Sequence, residues 1–186
     1  MSNKLPSREQ ALQILRENRC STQVIAHCKA VAKVAVENAQ ACQKKGLKVD
    51  VDLVEVGALL HDLGRSRTHS VSHAVVGAEI AKAKGLPEPV IAIIKRHVGG
   101  GITEAEAQKL GWPADNYMPV SLEEKIVSNA DKLVETSDRI PIELTVNRLR
   151  EEKLDAAAER VQKIHDEITK IVGKNHDHVN AFNKNL

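Results

Sequence analysis

Apolar residues recur along the chain at three- and four-residue intervals, the period of a helix with one buried face. Alternating runs of the strand type do not stand out. Ser7 and Gln10 have the spacing of a capping box ahead of Ala11, Leu12, Ile14 and Leu15. A second helix is predicted over 22–45 from Val24, Ile25, Cys28, Val31, Ala32, Ala35 and Ala39, with Gly46 as its stop. Asp52 and Glu55 predict the start of a third helix, which Gly64 would end. A fourth follows over 72–84, and a fifth opens at Pro87 and Pro89 and runs to Gly99-Gly100-Gly101. Thr103 with Glu106 and Ser121 with Glu124 mark two more capping boxes, the second leading through Ile126, Val127, Ala130, Leu133 and Val134. Beyond Pro141, one or two helices should carry Leu154, Val161, Ile164, Ile168 and Ile171. The fold class expected is all-α, a single-domain helical bundle, with a polar tail at 174–186 that should fray.

Composition narrows the picture. The chain has 186 residues, 42% of them hydrophobic, enough for one real core and too few for two comfortable ones. A net charge of +2 gives no nucleic-acid footprint, and Trp112, Tyr117 and Phe182 are too few aromatics for a base-stacking platform. No stretch is apolar over a membrane's thickness, and the first ten residues lack a signal-peptide core. Cys20, Cys28 and Cys42 form no CxxC pair and suit reduced thiols in a cytoplasm, with Cys28 and Cys42 as small core residues. The expected setting is cytoplasmic, with no membrane partner; a homo-oligomer is left open.

Polar residues interrupt the apolar stripes at particular places. His27 lies between Val24 and Val31 on one helix face, a position that a core-edge histidine often takes. His61-Asp62 directly follows Ala58-Leu59-Leu60, and a carboxylate there is costly unless it meets a cation or several donors. His73 starts a helix whose Gly77 leaves a bare patch for another helix or a ligand. His97 ends the stripe of Val90 and Ile94, where a helix C-terminus would favour a cation. Asp131 breaks the stripe between Val127 and Val134. Each has a plain structural reading. Together they put four imidazoles and two carboxylates on faces that converge in one core, and a shared metal would resolve all these burial costs at once.

The order His27, His61-Asp62, Asp131 resembles the signature of the HD-domain metal-dependent phosphohydrolases. "LLHDLGR" (59–65) is similar to that family's central motif and "NADKL" (129–133) to its closing segment. The resemblance covers about 21–139 and implies a helical bundle, with the helices of 142–173 uncovered. "SHAVVGAEIA" (72–81) and "IKRHVGGG" (94–101) resemble the extra histidine segments of two-metal members, such as the symmetric diadenosine tetraphosphate hydrolases. On that likeness His27, His61, Asp62 and Asp131 would hold one ion, and Asp62 would bridge to a second held by His73 and His97. Arg65 stands where many members have lysine, and Val98 where several have another histidine.

Imidazoles and carboxylates without thiolate favour one or two divalent ions such as Fe, Mn, Co, Ni or Zn, with Mg disfavoured beside so many nitrogens. The expected reaction is hydrolysis of a phosphate ester or anhydride, of a nucleotide by preference, through a metal-bound hydroxide and with a small phosphorylated substrate as partner. Arg65 would neutralise phosphate oxygens, aided by Arg67, Lys95 or Arg96. His69 is a candidate proton donor or substrate contact, against the plainer reading of a loop histidine. Asp62, Arg65 and His69 are thus the catalytic candidates. The competing readings are a catalytically silent metal- or nucleotide-binding regulatory module, and a helical protein whose polar residues merely bond one another.

Overall fold

The computed structural model describes residues 4–173; the tail expected to fray lies outside them. Among the described residues nine α-helices carry the fold: α1 (Arg8–Glu17), α2 (Thr22–Lys44), α3 (Val51–Leu60), α4 (His73–Ala83), α5 (Glu88–Arg96), α6 (Glu104–Lys109), α7 (Leu122–Lys132), α8 (Ile142–Glu151) and α9 (Asp155–Val172). Short 3-10 turns follow α3 (Leu63–Ser66) and α5 (Val98–Gly100). No described helix is long and apolar enough to cross a membrane.

Several helix starts are fixed by local chemistry. Ser7 and Thr103 form full capping boxes with Gln10 and Glu106. The third box is only half made. Ser121 Oγ accepts from Glu124 N–H, but the Glu124 carboxylate turns to Val120 N–H and Arg96 instead of back to Ser121. The start of α3 is set by Asp50, not Asp52. Asp50 Oδ1 accepts from Leu53 N–H at 2.9 Å, while Asp52 sits inside the first turn, where the helix dipole welcomes a negative charge.

The core is built where α2, α3, α5, α7 and α9 bring their apolar stripes together. Val31, Leu59, Leu60, Ile93, Ile94 and Ile126 are fully buried, as are Cys28 and Cys42. One departure from an all-helical reading is small. Helix α7 stops at Lys132, and Val134–Glu135 pairs antiparallel with Asp138–Arg139 in a two-residue hairpin. Its turn holds Thr136 in the left-handed region (φ 56°), a conformation that β-branched residues rarely adopt.

Helix α3 ends at Leu60, four residues before the expected stop, and Gly64 has a different task. A Cβ there would lie 1.9 Å from His73 O and 2.6 Å from Gly77 N. A Cβ on Gly77 would in turn meet Gly64 N at 3.0 Å and Ile94 Cγ2 at 2.9 Å. The bare patch on α4 is therefore filled by the Ile94 side chain and the Gly64 backbone. Two glycines let the turn after His61-Asp62 press directly against α4, which brings the doublet next to His73.

Candidate metal centre

The six residues singled out in the sequence come from five separate elements and meet at one point. His27 is on α2, His61 and Asp62 directly follow α3, His73 opens α4, His97 directly follows α5, and Asp131 is near the end of α7. His61, Asp62, His73 and His97 are buried, and His27 and Asp131 are half-buried.

Each imidazole is oriented by a backbone carbonyl. His61 Nδ1 lies 2.7 Å from Ala58 O, His73 Nδ1 2.7 Å from Ser70 O, His97 Nδ1 2.8 Å from Ile94 O, and His27 Nδ1 3.1 Å from Thr136 O. Ala58 and Ile94 are among the last carbonyls of α3 and α5, which lack partners within their helices. A carbonyl can only accept, so in all four rings Nδ1 carries a proton and Nε2 faces the centre.

The Nε2 atoms gather around the two carboxylates. Asp131 Oδ1 is 3.0 Å from His27 Nε2 and 3.4 Å from His61 Nε2. Asp62 Oδ2 is 3.7 Å from His61 Nε2 and accepts from Arg65 Nε at 2.6 Å. Asp62 Oδ1 is 3.0 Å from His73 Nε2 and 3.7 Å from His97 Nε2, and those two nitrogens are 3.1 Å apart. Asp62 thus turns one oxygen to each half of the cluster. His27, His61 and Asp131 form one group with the spacing to hold a metal ion, and His61, Asp62 and His97 another, the ligand atoms lying within 4.8 Å of one another in each.

The residues fit a cation better than they fit one another. His61 Nε2 and Asp62 Oδ1 are buried with no hydrogen-bond partner. Neutral His73 and His97 would oppose bare lone pairs beside a carboxylate oxygen, an arrangement that a shared cation or proton relieves. Burial, with His61 and His73 adding to it, pushes His97 down to about 4, so its Nε2 is an unprotonated donor at neutral pH. Burial raises Asp62 and Asp131, but the surrounding groups win: His61, His73 and His97 hold Asp62 well below the usual carboxylate range, and Lys132, His27 and His61 do so for Asp131. Burial likewise works against a charged His61, and the Asp62 carboxylate overcomes it and raises the imidazole well above its ordinary value.

An open cleft of about 330 Å³ leads from the surface to this centre, with Ser21, Gln23, His27, Asp62, Arg65 and His69 among the residues lining it. Arg65 and His69 therefore share a cleft with the cluster. Lys95 and Arg96 are occupied elsewhere: Lys95 Nζ donates to Asp115 Oδ2 at 2.6 Å, and Arg96 to Glu124 Oε1 at 2.8 Å and Asn116 O at 3.0 Å. These two cations, expected as phosphate contacts, instead pin the loop after α6. Two supports escaped the sequence reading. Lys132 Nζ donates to Asp131 Oδ2 at 2.6 Å, and Ser128 Oγ donates to His97 O at 3.0 Å. Both lie within one turn of Asp131 on α7, which is the signal that could have found them.

A helical bundle with a His/His-Asp/Asp cluster at its core defines a helical protein with a candidate metal centre. The family model "HD domain" matches residues 24–136, and the chain belongs to the HD-domain family. It is 45% identical over 166 residues to an uncharacterised protein of Methanocaldococcus jannaschii, covering 88% of this chain and 98% of that one. It is 39% identical over 175 residues to the tRNA (cytidine(56)-2'-O)-methyltransferase of Picrophilus torridus, covering 94% of this chain but 50% of that protein. The chain spans about half the length of that relative, as the same figure shows. Over 53 residues it is 47% identical to ribonuclease Y of Acidothermus cellulolyticus, covering 27% of this chain and 11% of that one. Among solved structures, the HD domain of the L. monocytogenes phosphodiesterase PgpH in complex with cyclic-di-AMP shares the fold, with a TM-score of 0.53, 20% identity, and coverage of 86% of this chain and 93% of that one.

Proposed function

We propose that the chain is a metal-dependent phosphohydrolase that cleaves a phosphate ester or anhydride of a nucleotide in the cleft over the His/Asp cluster. The observation that carries this reading is the set of four imidazoles, each tied to a carbonyl through Nδ1, whose Nε2 atoms face two carboxylates with His61 Nε2 and Asp62 Oδ1 left unbonded. His27, His61, Asp62 and Asp131 would hold one ion; Asp62, His73 and His97 would hold a second. The donor set suits Fe, Mn, Co, Ni or Zn. Bound there, such ions supply Lewis acidity toward a phosphate oxygen and acidify a water.

The chain's own residues do the remaining work. The carbonyl-anchored rings keep the ligands oriented before anything binds. Arg65 donates Nε to Asp62 and reaches His69 O with Nη1 at 3.5 Å, which leaves Nη2 of its planar fork for a phosphate oxygen at the cleft wall. His69, on the same cleft, is placed to give a proton to the leaving group. Ser21 and Gln23, at the start of α2, offer polar contacts to the rest of the substrate. A nucleotide is favoured because the ribonuclease Y relatives act on nucleotide phosphodiesters by name, and the fold neighbour was crystallised with a cyclic dinucleotide.

Metal analysis of protein purified without chelator, followed on the same sample by assays of bis(p-nitrophenyl) phosphate and a panel of mono-, cyclic and dinucleotides, tests the reading. The expected result is a transition ion together with turnover that a chelator abolishes. Metal without turnover of any phosphoester would leave a binding module, and protein that takes up no Fe, Mn, Co, Ni or Zn would overturn the proposal.

A further inference from the structure

We propose that residues 112–117 clamp the two helices that carry His73 and His97, with Trp112 as a positioning residue that sets the spacing of those two imidazoles; this rests on reading them as ligands of one ion. The chain's single tryptophan reaches across the fold to α4, where Trp112 Nε1 donates to Ser72 Oγ at 3.0 Å. Ser72 is the N-cap of α4, yet its side chain makes no capping bond, so its hydroxyl can serve Trp112 instead. The next residue is His73, and the ring of His73 leans on Ser70 O at 2.7 Å. The turn that Trp112 holds is therefore the turn that aims His73.

The same loop grips the other helix. Asp115 takes Lys95 Nζ and the Asn116 carbonyl takes Arg96 Nε, so the two residues before His97 are both tied to the loop. The loop itself is stiff. Trp112 and Tyr117 meet edge to face at 4.9 Å, the Tyr117 hydroxyl donates to Pro113 O at 2.9 Å, and Ile102 N–H donates to Tyr117 O at 3.2 Å. The loop thus spans the start of α4 and the end of α5, whose histidines have Nε2 atoms 3.1 Å apart. His27, His61 and Asp131 are anchored through Thr136 O, Ala58 O and Lys132 Nζ, on elements that none of these loop bonds reaches. Loosening the clamp should weaken one ion and spare the other.

The test is titration of Co²⁺ into metal-stripped protein, followed by calorimetry and by cobalt absorption. Wild type should show two steps, and His73→Ala should lose the weaker. Trp112→Phe and Ser72→Ala should each weaken that step about tenfold, the order seen when a ligand's orienting partner is removed. The tighter step should not move. The double variant should be no worse than either single, because both break one bond. Tryptophan emission of the wild type should change with the second equivalent and not the first. An unchanged second step in Trp112→Phe and Ser72→Ala would overturn the clamp, as would equal weakening of both steps, which would mean general loosening. A wild type with one step that His73→Ala leaves intact would remove the two-ion reading itself, and the clamp with it.

Discussion

Asp62 is the residue on which the centre turns. It is 3% exposed, its Oδ1 faces His73 and His97, and its Oδ2 faces His61 and takes Arg65. Removing an orienting partner of a metal ligand commonly costs 10–100-fold in affinity, and losing a carboxylate proposed as a ligand of both ions should cost more. Asp62→Ala should therefore strip metal and abolish hydrolysis. The helices should persist, because the fold is carried by apolar burial around Leu59, Leu60 and Ile94 rather than by this charge. Elemental analysis and far-ultraviolet circular dichroism of the same sample check both halves. A folded Asp62→Ala protein with wild-type turnover would be incompatible with the role given to Asp62.

At the scale of elements, one tie outside the site can be tested by pH. Glu106 caps α6 through Thr103 N–H at 2.7 Å and meets Arg160 of α9 at 3.0 Å, while Arg160 Nε also donates to Gly101 O. Burial, the largest single influence, raises the Glu106 carboxyl, but the Thr103 bonds and Arg160 together outweigh it and hold it below its ordinary value. A depressed carboxyl stabilises the fold above its unfolded pKa and loses that contribution as pH falls through the folded value. Glu106→Gln should cost roughly 0.5–1 kcal/mol at neutral pH. It should also flatten the loss of stability between about pH 5 and 3, because the neutral amide has no proton to gain. Urea unfolding at several pH values measures both effects. The tie also shows what a sequence can and cannot tell. Thr103 and Glu106 are three residues apart and read as a box; Arg160 is far along the chain and invisible beside them. Glu124 was misread for the same reason, since its carboxylate goes to Arg96. Asp52 reads as the start of α3, and only the geometry shows that Asp50, two residues earlier, is the cap. The ligands themselves were legible as carbon copies of a motif, whereas the carbonyls that orient them, Ala58, Ser70, Ile94 and Thr136, have no side-chain signature at all.

For the molecule as a whole, metal and folding are linked. The ligands come from five elements, so the cluster exists only in the folded chain, and an ion that binds it must stabilise that state. At a free concentration 100 times its dissociation constant an ion adds about 2.7 kcal/mol. For a chain of this size that corresponds to a rise in melting temperature of roughly 5–10 °C. Chelated protein should melt lower by that amount, and added metal should restore it in wild type but not in Asp62→Ala. Differential scanning fluorimetry reads this directly. The seat of α9 has another outcome. Gly100, three residues past His97, would strike Val161 N at 2.9 Å if it carried a Cβ, and His165 of α9 bonds Asn129 at 3.1 Å, two residues before Asp131. The last helix is thus a wall of the room in which the ligands stand, although the family match ends at residue 136. Cut there, the chain would keep every ligand and lose the backing of two. A chain ended at residue 136 should therefore bind metal more weakly than the chain through α9, which metal titration of the two would check. The Picrophilus methyltransferase, twice as long, matches 94% of the chain and not merely its ligand-bearing stretch.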